Sequence, residues 1–298
     1  MANFGTVSVV IPNYNYGRFI GEAVESVLAQ TYPIAEIVVV DSESTDETLE
    51  VLRKYADRVR VIVQENLGVC AARNRGVAET NGEFIAFLDA DDRWLPQKIE
   101  KQMAKFAGDE EIGLVHCGMR EIDSETDQTL GLLLDGGEGS IADNLLLWQS
   151  PAVIGPGGTT VVRRVVFEEV GGFDTDLVVG EDWDFCYRTA RRCRVGFVRE
   201  PLVDYRSHGT NAHHNVAEME RGMRRMLEKA FTTDDASVLK LRNRAYGNFH
   251  RTLAGSYFQA GNVGRFLRHA VESLKHRPSN ISYFLAYPFR RFQKSGRG

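Results

Sequence analysis

Phe84-Ile85-Ala86-Phe87-Leu88-Asp89-Ala90-Asp91-Asp92 sets five apolar residues directly ahead of three carboxylates. A short unbroken apolar run of this kind reads as a strand buried on both faces. Carboxylates gathered at the end of such a strand are costly unless something cationic shares the space. A divalent cation bridging a diphosphate suits that place, because Mg2+ and Mn2+ favour carboxylate oxygen together with substrate phosphate. An Asp-rich turn that caps the following helix is the plainer alternative. The position directly after a buried strand favours the metal.

Working outward, residues 7–11, 36–41 and 59–64 read as three more strands, and 19–30, 44–55 and 69–80 as helices between them. Ser44-x-x-Glu47 has the spacing of a capping box, and Pro96 suits the first turn of a helix reaching 106. Strands alternating with helices imply a mostly parallel sheet covered on both faces, an α/β fold. Ligands of such sheets bind outside the carboxyl ends of the strands. Residues 13–15, Asp41 and Asp89 should therefore converge on one crevice.

Residues 130–158 are glycine-rich and end in Ile154-Gly155-Pro156-Gly157-Gly158. They read as a mobile connection of the sort that forms lids. Beyond it, 159–163 reads as a strand, 181–191 as a helix, and 195–199 and 203–205 as short strands. From 216 the pattern is all-helical, with helices expected over 216–231, 238–260, 263–276 and 281–292. The expected division is a catalytic domain over 1–215 and a helical C-terminal region over 216–298.

Charge follows the same division. Residues 1–215 hold 20 Lys/Arg against 35 Asp/Glu, whereas 216–298 hold 16 against 6. An acidic sheet half with no nucleic-acid motif gives no support to nucleic-acid binding. The basic region suits attraction to anionic lipid or to a phosphate-bearing acceptor. Phe284, Tyr287, Phe289 and Phe292 interleave with Arg290, Arg291 and Lys294, as in an interfacial segment. Peripheral attachment to the inner face of the cell membrane is one expectation, and ordinary packing of a helix is the other. Residues 1–5 show no signal peptide, and no apolar run reaches the roughly 20 residues that span a bilayer. Cys70, Cys117, Cys186 and Cys193 form no metal-site or redox pattern and read as buried thiols of a reducing, cytoplasmic compartment.

Two further motifs carry chemistry. Glu181-Asp182-Trp183-Asp184 follows Gly180 at an expected helix start. Acidic residues there complement the helix dipole, yet one of them near a sugar diphosphate also suits a general base. Tyr205-Arg206-Ser207-His208 follows a strand, and with the aspartate cluster present its histidine becomes a further metal ligand. Trp94 and Trp183 stand beside these motifs, either as core residues or as faces for a sugar ring.

The ordered series is Val9-Val10-Ile11-Pro12-Asn13-Tyr14-Asn15, Ile37 to Asp46, Asn66-Leu67-Gly68, Ala72-Arg73-Asn74 and Asp89-Ala90-Asp91-Asp92. It closes with Gly171-Gly172-Phe173-Asp174, Glu181-Asp182 and Tyr205-Arg206-Ser207-His208. Over residues 6–208 this resembles the family 2 glycosyltransferases, whose fold is GT-A. The resemblance implies donor-binding positions at Pro12, Tyr14, Asp41, Ser42, Arg73, Asp89 and Ala90. Tyr14 is expected against the nucleobase, Asp41 and its loop at base and ribose, and Asp89 at the ribose or the metal shell. Asp91 is expected to bind the metal, His208 the metal or diphosphate, and Asp182 to be the catalytic base.

The same resemblance implies a nucleotide-sugar donor, Mn2+ or Mg2+, and a glycan or lipid-linked saccharide acceptor. It also implies inversion by a single displacement, in assembly of surface polysaccharide or glycolipid. Ser42 departs from the pattern, because many relatives carry a second aspartate there that contacts uracil. UDP-sugar remains the first expectation, with dTDP- and GDP-sugars open. Two other classes fit the pattern less well. A sugar-phosphate nucleotidyltransferase should carry a Gly-rich basic loop where Pro12-Asn13-Tyr14-Asn15 stands. A non-catalytic binding protein on this fold has no need to retain Asp89, Asp91 and Asp182.

Overall fold

A computed structural model describes residues 5–150, 152–208 and 216–285. The chain divides into two compact units, one of Met1–Leu145 with Ser150–Asn211 and one of Leu146–Gln149 with Ala212–Gly298.

The first unit opens with β1 (Val7–Asn13), α1 (Gly17–Leu28), β2 (Glu36–Asp41), α2 (Thr48–Leu52), β3 (Arg60–Val63), α3 (Val69–Ala78) and β4 (Phe84–Phe87). It continues through β5 (Arg93–Trp94), α4 (Lys98–Gly108), β6 (Ile112–Asp123), β7 (Thr129–Leu133), α5 (Ala142–Leu146) and α6 (Pro156–Thr159). β8 (Val161–Arg163), α7 (Arg164–Glu169), α8 (Glu181–Ala190) and β9 (Arg194–Ser207) complete it. The strands form one mixed sheet in the order β3-β2-β1-β4-β8-β6-β9-β5, with β7 paired to β6. β3, β2, β1 and β4 run parallel, with Asn13 opposite Asp41 and Val10 opposite Phe87. Their carboxyl ends therefore share one edge, and the motif residues stand along it.

Burial explains the strand sequences. All seven residues of β1 and all four of β4 are buried, so neither shows the alternation of a half-exposed strand. α3 lies close on β1 because Gly76 carries no side chain; a Cβ there would sit 2.3 Å from a Val10 methyl. Phe84 and Phe106 meet at 4.7 Å between β4 and α4.

The structure departs from the sequence reading at several points, one being the helix expected over 238–260, which breaks at Lys240 and Leu241. β6 has no counterpart in that reading. The strand passes between β8 and β9 with its first seven residues buried, and Gly113, His116 and Gly118 interrupt any hydrophobic run. The two short strands expected over 195–205 are one strand, β9. Its pairing with β6 shifts register between Cys117 and Gly118, where Pro201 is accommodated. The capping box does not form: α2 begins at Thr48, its N-cap Glu47 makes no side-chain cap bond, and Ser44 is engaged elsewhere. Segment 130–158, expected as a bare connection, carries elements of its own. It holds β7, α5 and α6, it bridges to itself at Gly136 and Ala152, and Ile141, Leu145 and Ile154 are buried.

The second unit is helical: α9 (Val216–Ala230), α10 (Ala236–Leu239), α11 (Arg242–Gln259), α12 (Val263–His276) and α13 (Ile281–Leu285). Met226, Leu227, Phe249, Leu253 and Ala254 form its core, and Asn248 ties α11 to the Leu147 carbonyl at 2.8 Å. Gly261 takes positive φ between α11 and α12, and Asn262 caps α12 by accepting from the Arg265 N–H. The helix expected over 281–292 is described only as α13. The interfacial residues Tyr287, Phe289, Arg290, Arg291, Phe292 and Lys294 lie outside the described residues. Among the described residues no helix is long and apolar enough to cross a membrane.

Candidate active site

The carboxyl edge of the sheet carries two linked clusters. The first joins the turn after β1 to the loop after β2. Asp41 is fully buried, and both its oxygens serve that joint. Oδ1 accepts from Asn13 Nδ2 at 2.8 Å and from the Ser44 hydroxyl, and Oδ2 accepts from the Ser44 N–H at 3.0 Å. Ser44 Oγ accepts in turn from the Asn15 N–H, and Asn15 Oδ1 from the Thr45 N–H, each at 2.8 Å. Asn15 and Glu43 both take positive φ in these turns. Asp46 closes the joint by accepting from the Gly17 N–H at the start of α1 and from the Thr48 N–H at the start of α2. Pro12 and Ser42 are buried within it, whereas Tyr14 stands 47% exposed above it. Asp41 thereby also supports the loop that carries Tyr14.

The second cluster surrounds Arg73, which α3 delivers to the end of β4. Its guanidinium is buried over the Phe173 ring, 5.0 Å from the centroid. Nη2 donates to Asp89 Oδ1 at 2.8 Å and Nη1 to Asp182 Oδ1 at 2.6 Å, while Glu181 lies at 3.5 Å. Burial and then the Asp182 charge raise the Glu181 carboxyl to about 7, against the pull of Arg73. Neighbouring Asn74 grips Phe173 by donating to its carbonyl and accepting from its N–H. The Gly171-Gly172 turn is thereby held under α3.

Asp91 and His208 meet from β4 and β9, with His208 Nε2 2.9 Å from Asp91 Oδ2. Phe19 stacks on the imidazole at 5.7 Å. Burial, and then Asp89, push the Asp91 carboxyl up, and His208 draws it back. Asp92 is held well above the usual range by burial, then by Asp91 and Asp89. Burial and the same carboxylates hold the Tyr16 hydroxyl protonated. Asp89 thus raises Asp91, and both raise Asp92, a crowding of negative charge that a positive ion relieves.

Among the described residues no group of three His, Cys, Asp or Glu side chains encloses an ion. A divalent ion here would take two side-chain donors, Asp91 and His208, and draw the rest from phosphate and water. Sites for Mg2+ take one or two carboxylates with substrate phosphate and water, so Asp91 fits such an ion, and the His208 imidazole suits a softer ion than Mg2+.

The structure thus brings Arg73, Asp89, Ala90, Asp91, Asp182 and His208 to one place, and sets Pro12, Tyr14, Asp41 and Ser42 on the same sheet edge. Trp94 is core: it is buried and donates to the Gly158 carbonyl. Trp183 donates to the Leu145 carbonyl and is half-buried. Sequence reasoning gave no role to Tyr16 or Arg206. Arg206 is buried and donates through its backbone N–H to Asp92 and through Nη1 to the Asp91 carbonyl, and it also pairs with Glu22. Period-two spacing of Asp204 and Arg206 in β9, two charges on one strand face, was the available signal.

Comparisons with known proteins agree with this architecture. Residues 8–171 match the family model described as glycosyl transferase family 2. An uncharacterised glycosyltransferase of Nostoc sp. is 35% identical over 221 residues, 71% of this chain and 67% of that protein. The putative teichuronic acid biosynthesis glycosyltransferase TuaG of Bacillus subtilis is 42% identical over 101 residues, 33% of this chain and 40% of its own. Among solved structures, the mannosyltransferase PcManGT of Pyrobaculum calidifontis, in complex with GDP-Man and Mn2+, superposes with a TM-score of 0.67 at 20% identity. It covers 97% of this chain and 83% of its own. S. aureus TarS 1–349 in complex with UDP-GlcNAc gives 0.63 at 18% identity, covering 92% of each chain. At these identities the solved structures speak to the fold alone. The chain belongs to glycosyl transferase family 2 and has the GT-A fold.

Proposed function

We propose that this protein is an inverting, metal-dependent glycosyltransferase that moves a sugar from a nucleoside-diphosphate sugar to a hydroxyl of a glycan or lipid-linked saccharide. The observation that carries this reading is the Arg73 junction, which fixes Asp182 beside Asp89 while Asp91 and His208 meet on the same sheet edge.

Tyr14 is the proposed nucleobase contact, and the Asp41–Ser44 loop backs it. Mn2+ or Mg2+, held by Asp91 and His208, would neutralise charge developing on the leaving diphosphate. Asp182 takes the acceptor proton as the acceptor oxygen bonds to the anomeric carbon and the diphosphate leaves with the bonding pair. Arg73 holds Asp182 Oδ1 and so fixes the orientation of that carboxylate. Glu181 is the second candidate for the proton, since its carboxyl is raised to about 7, the range a base at neutral pH requires. The relative's name, teichuronic acid biosynthesis, supports a surface-polymer acceptor. The neighbours' GDP-Man and UDP-GlcNAc differ in base, so UDP, dTDP and GDP donors all stay under test.

The test is diphosphate release from UDP-, GDP- and dTDP-sugars with Mn2+, Mg2+ or chelator. One donor should turn over, release should need metal, and Asp91→Ala should abolish the metal dependence along with the activity. Asp182→Asn should cost about 100-fold or more. If Glu181→Gln is the more damaging change, the base is Glu181. Absence of both release and donor binding would sink the catalytic reading.

A further inference from the structure

The helical unit contains a cavity of about 400 Å³ between α9, α11 and α12, which is in the range of small-ligand sites. Arg224, Arg242 and Arg268 line it, one from each helix. Arg224 is paired with Glu220 at 3.0 Å. Among the described residues Arg242 and Arg268 have no carboxylate partner, and both are exposed at the rim. The one carboxylate of the lining, Glu272, is bonded to Lys275 at 2.8 Å.

Histidines form the inner wall. His250 and His269 are buried and share a proton between their Nδ1 atoms at 2.9 Å. His276 stacks on His250 at 5.9 Å, and Tyr246 stacks on His276 at 5.4 Å. Burial, then His269, Arg224 and His276, lower the His250 imidazole to about 4, with Glu272 opposing. The cavity is thus lined by three guanidiniums over imidazoles of low basicity, with Glu220 3.5 Å from His269 Nε2 behind them. Among the described residues no three metal donors are grouped there. Guanidinium forks match phosphate oxygens in pairs, which a single-point ammonium does not.

We infer that this cavity is a phosphate-recognition site, distinct from the carboxylate cluster of the sheet, that takes a phosphate-ester or diphosphate group between Arg242 and Arg268.

The full chain, labelled in its histidine rings, is titrated with inorganic pyrophosphate at constant ionic strength in chelator. Chelator removes metal-dependent binding at Asp91, so a failure of the catalytic reading leaves this measurement intact. His250, His269 and His276 should shift saturably while His116 stays fixed. The Arg242→Gln/Arg268→Gln pair should weaken binding at least tenfold. Both positions are exposed, and Arg268→Gln alone serves as a second variant if the pair is unstable. A second arm compares pure phosphatidylcholine vesicles with vesicles containing phosphatidic acid. Arginine-dependent flotation with the acidic vesicles identifies a lipid headgroup, and pyrophosphate binding without flotation identifies a soluble or glycan-linked phosphate. Linear shifts, or saturable shifts unchanged by the arginine substitutions, mean an adventitious ion only and overturn the site.

Discussion

Arg73 Nη1 donates to Asp182 Oδ1 across 2.6 Å, joining side chains 109 residues apart. The same guanidinium reaches Asp89, so one buried cation sets the distance between the end of β4 and the start of α8. Such a charge is tolerated only because carboxylates surround it, and the carboxylates are tolerated only because of it.

Removing the cation should therefore harm both stability and turnover. Arg73→Ala leaves Asp89, Glu181 and Asp182 uncompensated and should cost roughly 3–5 kcal/mol in urea unfolding. Arg73→Lys restores the charge but not the two-armed geometry. It should recover much of the stability and little of the donor turnover. Wild-type turnover in Arg73→Lys would show that the fork is not what positions Asp182.

Gly157 tests the same junction by crowding. A Cβ there would lie 2.3 Å from Asp89 Oδ2 and 2.9 Å from an Arg73 nitrogen. Gly157→Ala must displace Asp89, while the hydrophobic core stays untouched. Turnover should fall on the order of 100-fold, as for other displacements of about 1 Å, with a near-normal melting temperature. Unaltered kinetics would mean that the position of Asp89 is not critical.

The parallel half of the sheet was legible because β1, β2 and β4 carry dense apolar runs, broken in β1 only by Ser8, that lead into polar motifs. β6 was not, since a strand buried on both faces shows no alternation, and Gly113, His116 and Gly118 break its apolar run. The carboxylates Asp89, Asp91 and Asp182 were readable from their places at element ends. What Arg73 does with two of them depends on the packing of α3 against β1, a three-dimensional fact with no local signature. The elements within segment 130–158 were not legible for a related reason. Its glycines serve close packing, as at Gly136, where a Cβ would lie 2.5 Å from Phe197 and 2.6 Å from His116.

His116 holds that segment at two points. Its Nε2 lies 2.8 Å from the Gly137 carbonyl and its Nδ1 accepts from the Ile154 N–H at 3.2 Å, which fixes a neutral ring protonated on Nε2. Burial lowers the imidazole to about 4, from an ordinary value of 6.5. Between those values the unfolded chain binds a proton that the folded chain refuses. This contribution to stability is full above pH 6.5 and is lost as pH falls toward 4, by roughly 3 kcal/mol. The pH dependence of urea unfolding should be flatter by about that amount in His116→Gln. Parallel curves for the two proteins would refute the assignment.

Lys98 carries the opposite defect, a charge buried without a counter-ion. Among the described residues its ammonium has no hydrogen-bond partner, and it packs 3.9 Å from the centroid of the Trp94 ring. Burial lowers it from 10.5 to about 8, with Cys117 opposing. The unfolded chain binds the extra proton between those values, so stability should rise as pH increases from 8 to 10.5. At pH 7 the lysine is charged in both states and the folded state carries the whole desolvation penalty. Some of it is returned by the cation–π contact, worth up to about 2 kcal/mol when desolvated. Lys98→Met keeps the length and the packing on Trp94 and removes the charge. It should stabilise the protein at pH 7 by about 1–3 kcal/mol, an advantage that shrinks toward pH 10.5. Urea unfolding of both proteins at the two pH values checks the sign. A methionine variant less stable than wild type at pH 7 would mean that the ammonium is satisfied in solution, and that Lys98 is a support of the core rather than a cost to it.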